Sequence, residues 1–280
     1  MKILLTGANG YIAKSLYNGL CYDFDITRIT RQDFDLTDRE ACNNFFKDKK
    51  FDCVIHTAVS GGSRLKKDDD SVLASNLKMY YNLIANKDCF TRMIHFGSGA
   101  EKNNPRDPYG LSKAIIADLM KPNPNYLNLR IWGVFDHNEL DTRFIKNNIQ
   151  RYINREDFEL HEDKMMDFFF MEDLVSLVRY HLEDQQKQTK YATARYPAKE
   201  WHTNTIDCVY TENYWLSDIL KMINKLSDYG VSIPLKPKKT TNSYLGNHLY
   251  IPIPTHQMKD AIQKTYDQLH YQHYFDKMIT

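Results

Sequence analysis

Tyr109 and Lys113 stand four residues apart in the stretch RDPYGLSKAII, a spacing that puts both side chains on one face of a helix, one turn from each other. A tyrosine exchanges protons near neutral pH only if its pKa falls well below its usual value of about 10. A neighbouring ammonium and the positive end of a helix both favour the phenolate and push in that direction. Asp107 and Pro108 suit the cap and first position of such a helix, which places Tyr109 in its first turn. Upstream, MIHFGSGAE ends an apolar run at Ser98, whose hydroxyl is suited to hydrogen-bond a carbonyl oxygen beside the tyrosine. Ser98, Tyr109 and Lys113 are therefore candidates for proton transfer at a carbonyl group. Taken alone, a Tyr-x-x-x-Lys pair is as well explained by a surface i,i+4 contact.

A second motif weighs against that plain explanation. TGANGYIA sets Gly7, Gly10 and Ala13 at three-residue intervals, after the apolar run KILLT and at the head of a helical pattern. In a tight strand-to-helix turn, backbone N–H groups at the helix N-terminus approach a pyrophosphate, and a side chain larger than hydrogen obstructs that approach. The third small residue lets helix and strand pack closely. Gly7, Asn9, Gly10, Tyr11 and Ile12 are the dinucleotide-binding candidates, the alternative being an ordinary glycine turn. An NAD site usually offers an acidic residue about 20 positions past the glycines for the ribose 2′-OH. Here the chain reads ITRQDFDLTD, with Thr30-Arg31 at the strand end. An arginine there suits a 2′-phosphate, so NADP is favoured over NAD; a solvated strand-end arginine is the competing explanation. Asp35, near the third β-α turn with Leu36 beside it, either accepts from the adenine amino group or caps a helix starting around Thr37.

Apolar or alternating runs that predict strands recur at 2–7, 25–30, 53–59, 92–98 and 126–135, and helical spacing lies between them near 11–20, 38–47, 71–86 and 109–120. Such alternation implies βαβ units with right-handed crossovers. The fold class is α/β, a Rossmann-type doubly wound parallel sheet with a smaller C-terminal α/β substrate lobe. Gly7, Arg31, Val59 and Ser98 all fall at strand carboxyl ends, where ligands of open parallel sheets lie. After about residue 135 the alternation loosens. The pattern predicts a helix over 141–154, a short strand near 158–161, a helix over MEDLVSLVRYHLED, a strand at TIDCVY and a helix at NYWLSDILKMINKL. A Pro/Lys-rich loop through 234–240 and a terminal helix from about 255 follow. The dinucleotide-binding domain is thus expected over 1–135 with returning segments near 162–185 and 203–210, and 136–280 is expected to be mostly substrate-binding lobe. The aromatic MMDFFFMED segment reads as core packing, with Asp167 its one residue to watch.

Lys and Arg number 37 against 36 Asp and Glu in 280 residues, so no bulk field favours nucleic acid or an anionic membrane. The five cysteines, Cys21, Cys42, Cys53, Cys89 and Cys208, are scattered without metal spacing and predict free thiols. The ten histidines show no His-x-x-x-His pair, and His270 and His273 read as a solvated helix face, so no metal is expected. No apolar run approaches the roughly 20 residues of a membrane span, and Lys2-Ile3-Leu4-Leu5 is too short for a signal sequence core. A soluble, cytoplasmic protein is expected.

Taken together, TGANGYIA, DLTD at 35–38, VIHTAV at 54–59, Asn76, Ser98, YGLSK, LRIWGVF at 129–135 and DFFFMEDLV at 167–175 resemble the extended short-chain dehydrogenase/reductase family acting on nucleotide sugars. The resemblance runs to about residue 180 and more loosely beyond. It implies a Ser98, Tyr109, Lys113 triad, with Tyr109 as proton donor or acceptor and Lys113 also holding the nicotinamide ribose. It implies further that Thr57, Ala58 and Val59 line the cofactor and that Asn76 supports the lysine or the backbone near it. Relatives often dimerise through paired helices, here the segments near 71–86 and 109–120, so a homodimer is implied by analogy.

The family includes 4-epimerases, 4,6-dehydratases and ketoreductases. A dehydratase would carry Thr-Asp-Glu after the strand, whereas this chain has Ser98-Gly99-Ala100, with Glu101 alone one place further on. The closest specific likeness is to GDP-fucose synthase-like 4-ketoreductases, whose epimerisation uses a cysteine and a histidine. The matching positions are Ala100, which has no proton to exchange, and Arg143, an always-charged and poor base. Arg143 is equally well explained as a substrate phosphate ligand or a helix-face cation. The SGGSR loop at 60–64 offers Ser60 or Ser63 to sugar hydroxyls, and Gly99 and Ala100 border the same place. The expected activity is NADP-dependent reduction of a 4-keto group on a nucleotide-linked deoxysugar. The alternatives are an NAD-dependent 4-epimerase of nucleotide sugars and a non-catalytic NAD(P)-binding sensor, which the intact triad disfavours.

Overall fold

A computed structural model describes residues 1–63, 66–183, 204–234, 238–248 and 251–279. Arg64 of the SGGSR loop, part of the 234–240 loop and the ends of the two returning segments, at 184–185 and 203, therefore lie outside the described residues. The chain divides into two compact units, Met1–Ile131 with Val175–Asp207, and Trp132–Leu174 with Cys208–Thr280.

The first unit is built on a six-stranded sheet. Its strands are β1 (Lys2–Thr6), β2 (Asp25–Ile29), β3 (Phe51–His56), β4 (Phe90–Ser98), β5 (Tyr126–Ile131) and, last in the chain, a strand over Thr205–Cys208. They lie in the order β2-β1-β3-β4-β5 followed by the Thr205–Cys208 strand. The pairings of β1 with β2 and β3, of β3 with β4 and of β4 with β5 are parallel, so the unit is α/β. The strand order reverses direction between β1 and β3, the switch point at which doubly wound sheets open a crevice beyond the strand carboxyl ends.

The helices between the strands are α1 (Tyr11–Leu20), α2 (Arg39–Phe46), α3 (Asp70–Ala85), a short α4 (Ala100–Asn103) and α5 (Pro108–Met120). One apolar core joins strand residues Leu4, Val54 and Met93 to helix residues Met79, Leu83, Ile116 and Met120. Each such buried side chain contributes about 1.5–3 kcal/mol. Asp38, Asp69 and Asp107 cap α2, α3 and α5 through their carboxylates, and Pro108 occupies the first turn of α5, as its sequence predicts.

Several boundaries differ from the sequence reading, two of them after residue 125. YLNLRIWGVF is not one strand. It breaks after Ile131, and Val134–Phe135 (β6) pairs instead with Phe169–Phe170 in the second unit. Gly133 explains the break, since a methyl there would meet the carbonyl oxygen of Asp167 at 2.9 Å and the Phe168 ring at 3.0 Å. The strand expected near 158–161 is absent; Glu162–Asp163 pairs with Lys238–Lys239. The rest of the second unit comprises α6 (Phe144–Ile153), the start of α7 (Met171–Leu182) and helices Leu216–Ile223 and Met258–Ile279. Phe168, Phe169 and Phe170 are buried, as a packing role for the aromatic segment requires. Asp167 is buried too, accepting the Gly246 N–H (2.8 Å) beside His248 (3.2 Å). All five cysteines are unbonded thiols, and burial pushes Cys53 up to about 12 and Cys42 to about 11. Among the described residues no helix is long and apolar enough to cross a membrane.

Candidate active site

The glycine turn sits at the β1/β3 switch point. Gly7 adopts φ +64°, and a methyl on it would lie 2.7 Å from the backbone of Ala58, so the loops after β1 and β3 touch only because residue 7 is glycine. The hydroxyl of Thr57 donates to the Thr6 carbonyl (2.6 Å), and the Ala58 N–H donates to the Thr6 hydroxyl (3.3 Å). Gly10 is the cap residue of α1, its first turn has no acidic residue, and no side chain caps it. A carboxylate cap would compete with and repel an anion at this helix end; its replacement by glycine leaves a turn that fits a dinucleotide pyrophosphate. Ala13 is fully buried, which gives the close packing expected of the third small residue.

Ser98 is the last residue of β4, and Tyr109 and Lys113 lie one turn apart on α5. The Lys113 ammonium stands 5.9 Å from the centre of the Tyr109 ring, so the two side chains share one face of the helix. Lys113 is buried, and one of its three donors goes to the carbonyl of Phe96 (2.6 Å), in the same strand that carries Ser98. Burial pushes the ammonium down to about 8, against a smaller upward pull from Glu101. The Ser98 hydroxyl accepts the N–H of Ala100 (3.2 Å), which orients its oxygen and directs its own proton elsewhere.

Asn76 joins three elements. Its side-chain oxygen accepts the Ser60 N–H (2.8 Å), and its amide donates to the Ser60 carbonyl (3.1 Å) and to the Ser112 hydroxyl (2.9 Å). Ser112 in turn donates to the carbonyl of Tyr109 (2.7 Å). Asn76 thus supports the backbone around the Tyr–Lys pair rather than the lysine itself. The loop it holds continues through Gly61 and Gly62, both at positive φ, with the Gly62 N–H donating to Asp68 (2.9 Å).

At the carboxyl end of β2, Thr30 and Asp33 close a turn through the Thr30 N–H and hydroxyl (2.7 and 2.9 Å), which leaves Arg31 exposed at its tip. Asp35 does not cap α2. It accepts the N–H and hydroxyl of Thr37 (2.8 and 2.9 Å) in a local turn after β2, and Asp38 instead caps α2, which starts at Arg39. Leu36 is buried under this turn. Val59 is exposed and lies beyond β3, which ends at His56 rather than at the residue the apolar run predicted. Gly99 donates to the Ile131 carbonyl (2.8 Å), and Ala100 begins α4. Arg143 belongs to the second unit, at the N-terminus of α6, where its charge acts on the buried carboxyl of Glu139.

The sequence model of the NAD dependent epimerase/dehydratase family matches residues 3–194. The chain belongs to that family. CDP-abequose synthase of Yersinia pseudotuberculosis is 22% identical over 258 residues, 83% of this chain and 87% of that one. Among solved structures, a GDP-mannoheptose C4 reductase from Campylobacter jejuni with NADP bound superposes with a TM-score of 0.72 at 16% identity, over 97% of this chain and 98% of the other. A UDP-glucuronic acid 4-epimerase from Bacillus cereus in complex with UDP-glucuronic acid and NAD gives 0.67 at 18% identity, over 97% and 100%. At such identities these structures speak for the shared fold.

Within this epimerase/dehydratase fold, sequence reasoning took Glu101 only as a lone carboxyl after the strand and passed over the buried pair His56 and His95. Glu101 is tied to the Ser98 N–H (2.9 Å) and to Arg130 (2.7 Å), and Arg130 to Asp207 (2.6 Å). A glycine inside β4, Gly97, is its sequence signal, because strand glycines mark close approach. His56 and His95 lie side by side, ring centres 5.4 Å apart, and burial pushes His56 down to about 3 and His95 well below its usual range, with the Lys113 charge adding to both. Their matched positions in adjacent strands are visible only once the β3/β4 register is known.

Proposed function

We propose that this chain reduces the 4-keto group of a nucleotide-linked deoxysugar, with NADPH as reductant and Tyr109 as proton donor. The observation that carries the reading is the state of Glu101, the acidic residue nearest Ser98 in sequence: its side chain is 2% exposed and both of its oxygens are occupied, so it is withdrawn from acid–base work on a substrate. With Ala100 beside it, the end of β4 offers the means for proton delivery to a carbonyl oxygen and lacks the second acid–base pair that dehydration requires. A reduced nicotinamide, when bound, supplies the hydride.

In this reading the Ser98 hydroxyl donates to the sugar carbonyl oxygen and orients it toward Tyr109. The phenol gives up its proton as the oxygen gains charge, and the Lys113 ammonium stabilises the phenolate left behind. The two remaining donors of Lys113 suit a ribose diol. Gly7, Asn9, Gly10, Tyr11 and Ile12 hold the pyrophosphate, Arg31 the 2′-phosphate, Asp35 and Leu36 the adenine side, and Thr57, Ala58 and Val59 the remainder of the cofactor. Ser60, Gly99 and Ala100 are assigned to the sugar. The Tyr81 side chain on α3 and Leu119 on α5 are exposed apolar groups on helices that pack together, and we assign that face to a homodimer.

The test is to supply purified protein with NADPH and a panel of nucleotide-linked 4-keto sugars and follow NADPH absorbance. Stoichiometric loss of NADPH with formation of the 4-hydroxy sugar is expected. Interconversion of 4-hydroxy sugars without net cofactor consumption would identify a 4-epimerase instead.

A further inference from the structure

We propose that Glu101 is a positioning residue that sets the separation between the Ser98 hydroxyl and the Tyr109 phenol. The proposal rests on the assignment of Ser98 and Tyr109 as the proton-transfer pair.

The carboxylate reaches in two directions. One oxygen accepts the backbone N–H of Ser98 at 2.9 Å. The other pairs with Arg130 Nε at 2.7 Å, and Arg130 Nη1 continues to Asp207 at 2.6 Å. The outer oxygen of Asp207 meets Lys102 Nζ at 2.9 Å. The chain of charges runs from the serine through three largely buried groups to a surface lysine, with side-chain exposures of 2% for Glu101, 13% for Arg130, 3% for Asp207 and 44% for Lys102. Buried charges are tolerated only when paired and hydrogen-bonded, and such pairs have narrow geometry, so Glu101 is held in one place.

Two glycines show how closely that place is defined. A methyl on Gly97 would stand 2.1 Å from Glu101 Oε1 and 2.6 Å from Asn128 Oδ1, so β4 has no side chain there because the carboxylate fills the space. A methyl on Gly110, next to Tyr109, would stand 2.1 Å from the Asn104 carbonyl and 2.7 Å from that of Ala100. Helix α4, which carries Glu101, is therefore seated against the first turn of α5. Ser98 is fastened to one end of this short turn by Glu101, and Tyr109 leans on the other through Gly110. A shift of α4 changes the distance between the two hydroxyls without touching the glycine turn at β1.

The full-length Glu101→Gln variant keeps the size of the side chain and removes its charge. A misplacement of about 1 Å costs on the order of 100-fold in rate. The kcat for NADPH-dependent reduction is expected to fall about 10- to 100-fold, while KM for the sugar and Kd for NADPH, read by fluorescence titration, stay within about twofold of wild type. Glu101→Asp keeps the charge but is one methylene too short to hold both the Ser98 N–H and Arg130 in their present places; it is expected to show the same split and answers the question if the Gln variant does not accumulate. Hydrogen exchange on the protein without substrate reads the positioning independently of turnover: peptides covering 98–104 and 108–113 should exchange faster together in both variants, with the glycine-turn peptide unchanged. Wild-type kcat in the variants, a parallel loss of NADPH affinity, or unchanged exchange at 108–113 would overturn the proposal. Absence of turnover in wild type, with coupled exchange at both peptides, would count against the assigned reaction and leave the positioning role standing.

Discussion

Gly62 lies against the face of Tyr109: a methyl on its α-carbon would stand 2.8 Å from both Cε2 and Cζ of the ring. The loop after β3 therefore reaches over the phenol, and it does so at φ +75°, a conformation that costs a non-glycine residue about 1–2 kcal/mol. Gly62→Ala combines that strain with displacement of the ring. A drop in kcat of about tenfold is expected from moving the proposed proton donor, with a fall of a few degrees in Tm. Steady-state NADPH oxidation and a thermal melt check it, and an unchanged kcat would show that the loop can retreat without moving Tyr109.

In the proposed reaction the buried lysine should make activity sensitive to alkali. The Lys113 ammonium, held down to about 8 by burial, must be charged to stabilise the tyrosine phenolate, so kcat/KM should fall as pH rises through about 8. Lys113→Arg stays charged throughout, and its profile should lose that limb while the overall rate drops, since a guanidinium does not fit the ammonium's bond to Phe96. Stability carries the same signature with the opposite slope. Between about 8 and the ordinary lysine value of 10.5 the unfolded chain holds a proton that the folded one has released, so the native state gains stability as pH rises across that window. Denaturant melts of wild type and Lys113→Met at pH 7.5 and 9.5, settings taken on either side of a midpoint at about 8, should show the gain in the first protein only.

Asn76→Ala removes all three bonds through which α3 holds the Ser60 backbone and Ser112. Leaving buried partners unsatisfied costs about 1–3 kcal/mol each, and partial rescue by water sets the expected loss at about 2–3 kcal/mol in chemical denaturation. Because the same bonds run through Ser112 to the Tyr109 carbonyl, kcat should fall beyond what the lost stability explains. Activity measured well below the melting temperature separates the two effects.

Arg31 stands exposed at the tip of the turn closed by Thr30 and Asp33. If it holds a 2′-phosphate, Arg31→Ala should raise KM for NADPH by about 10-fold or more and leave KM for NADH nearly unchanged, because a charge-assisted pair is worth about 1.5–3 kcal/mol. Equal effects on both cofactors would return the arginine to the role of a solvated surface cation.

The elements that carry this site were legible where local pattern and tertiary demand agree. KILLT followed by Gly7, Gly10 and Ala13 announces strand, turn and helix because close backbone approach leaves so few residue types allowed. Asp107-Pro108 announces the start of α5 for an equally local reason, and Tyr109 and Lys113 follow from helical periodicity. The break after Ile131 was hidden because Ile, Trp and Val continue the apolar run on both sides, and only the contact of Gly133 with Asp167 ends it. The partner of Glu101 was hidden by distance along the chain: Asp207 joins through Arg130 only after the sheet has assembled. The local turn at Asp35 was hidden because an aspartate two residues before a threonine closes such a turn as readily as it caps a helix.

The serine, the turn that braces it, the tyrosine and the lysine all fall within residues 98–113, one uninterrupted strip of chain. Such a strip is portable in a way that a set scattered over distant loops is not: exchanging it with the equivalent strip of another family member would carry the three proposed proton-transfer residues and their brace in a single graft. The graft does not bring Arg130 or Asp207 with it. A recipient lacking that pair would receive an uncompensated buried acid, so chimaeras should survive best when both positions travel along.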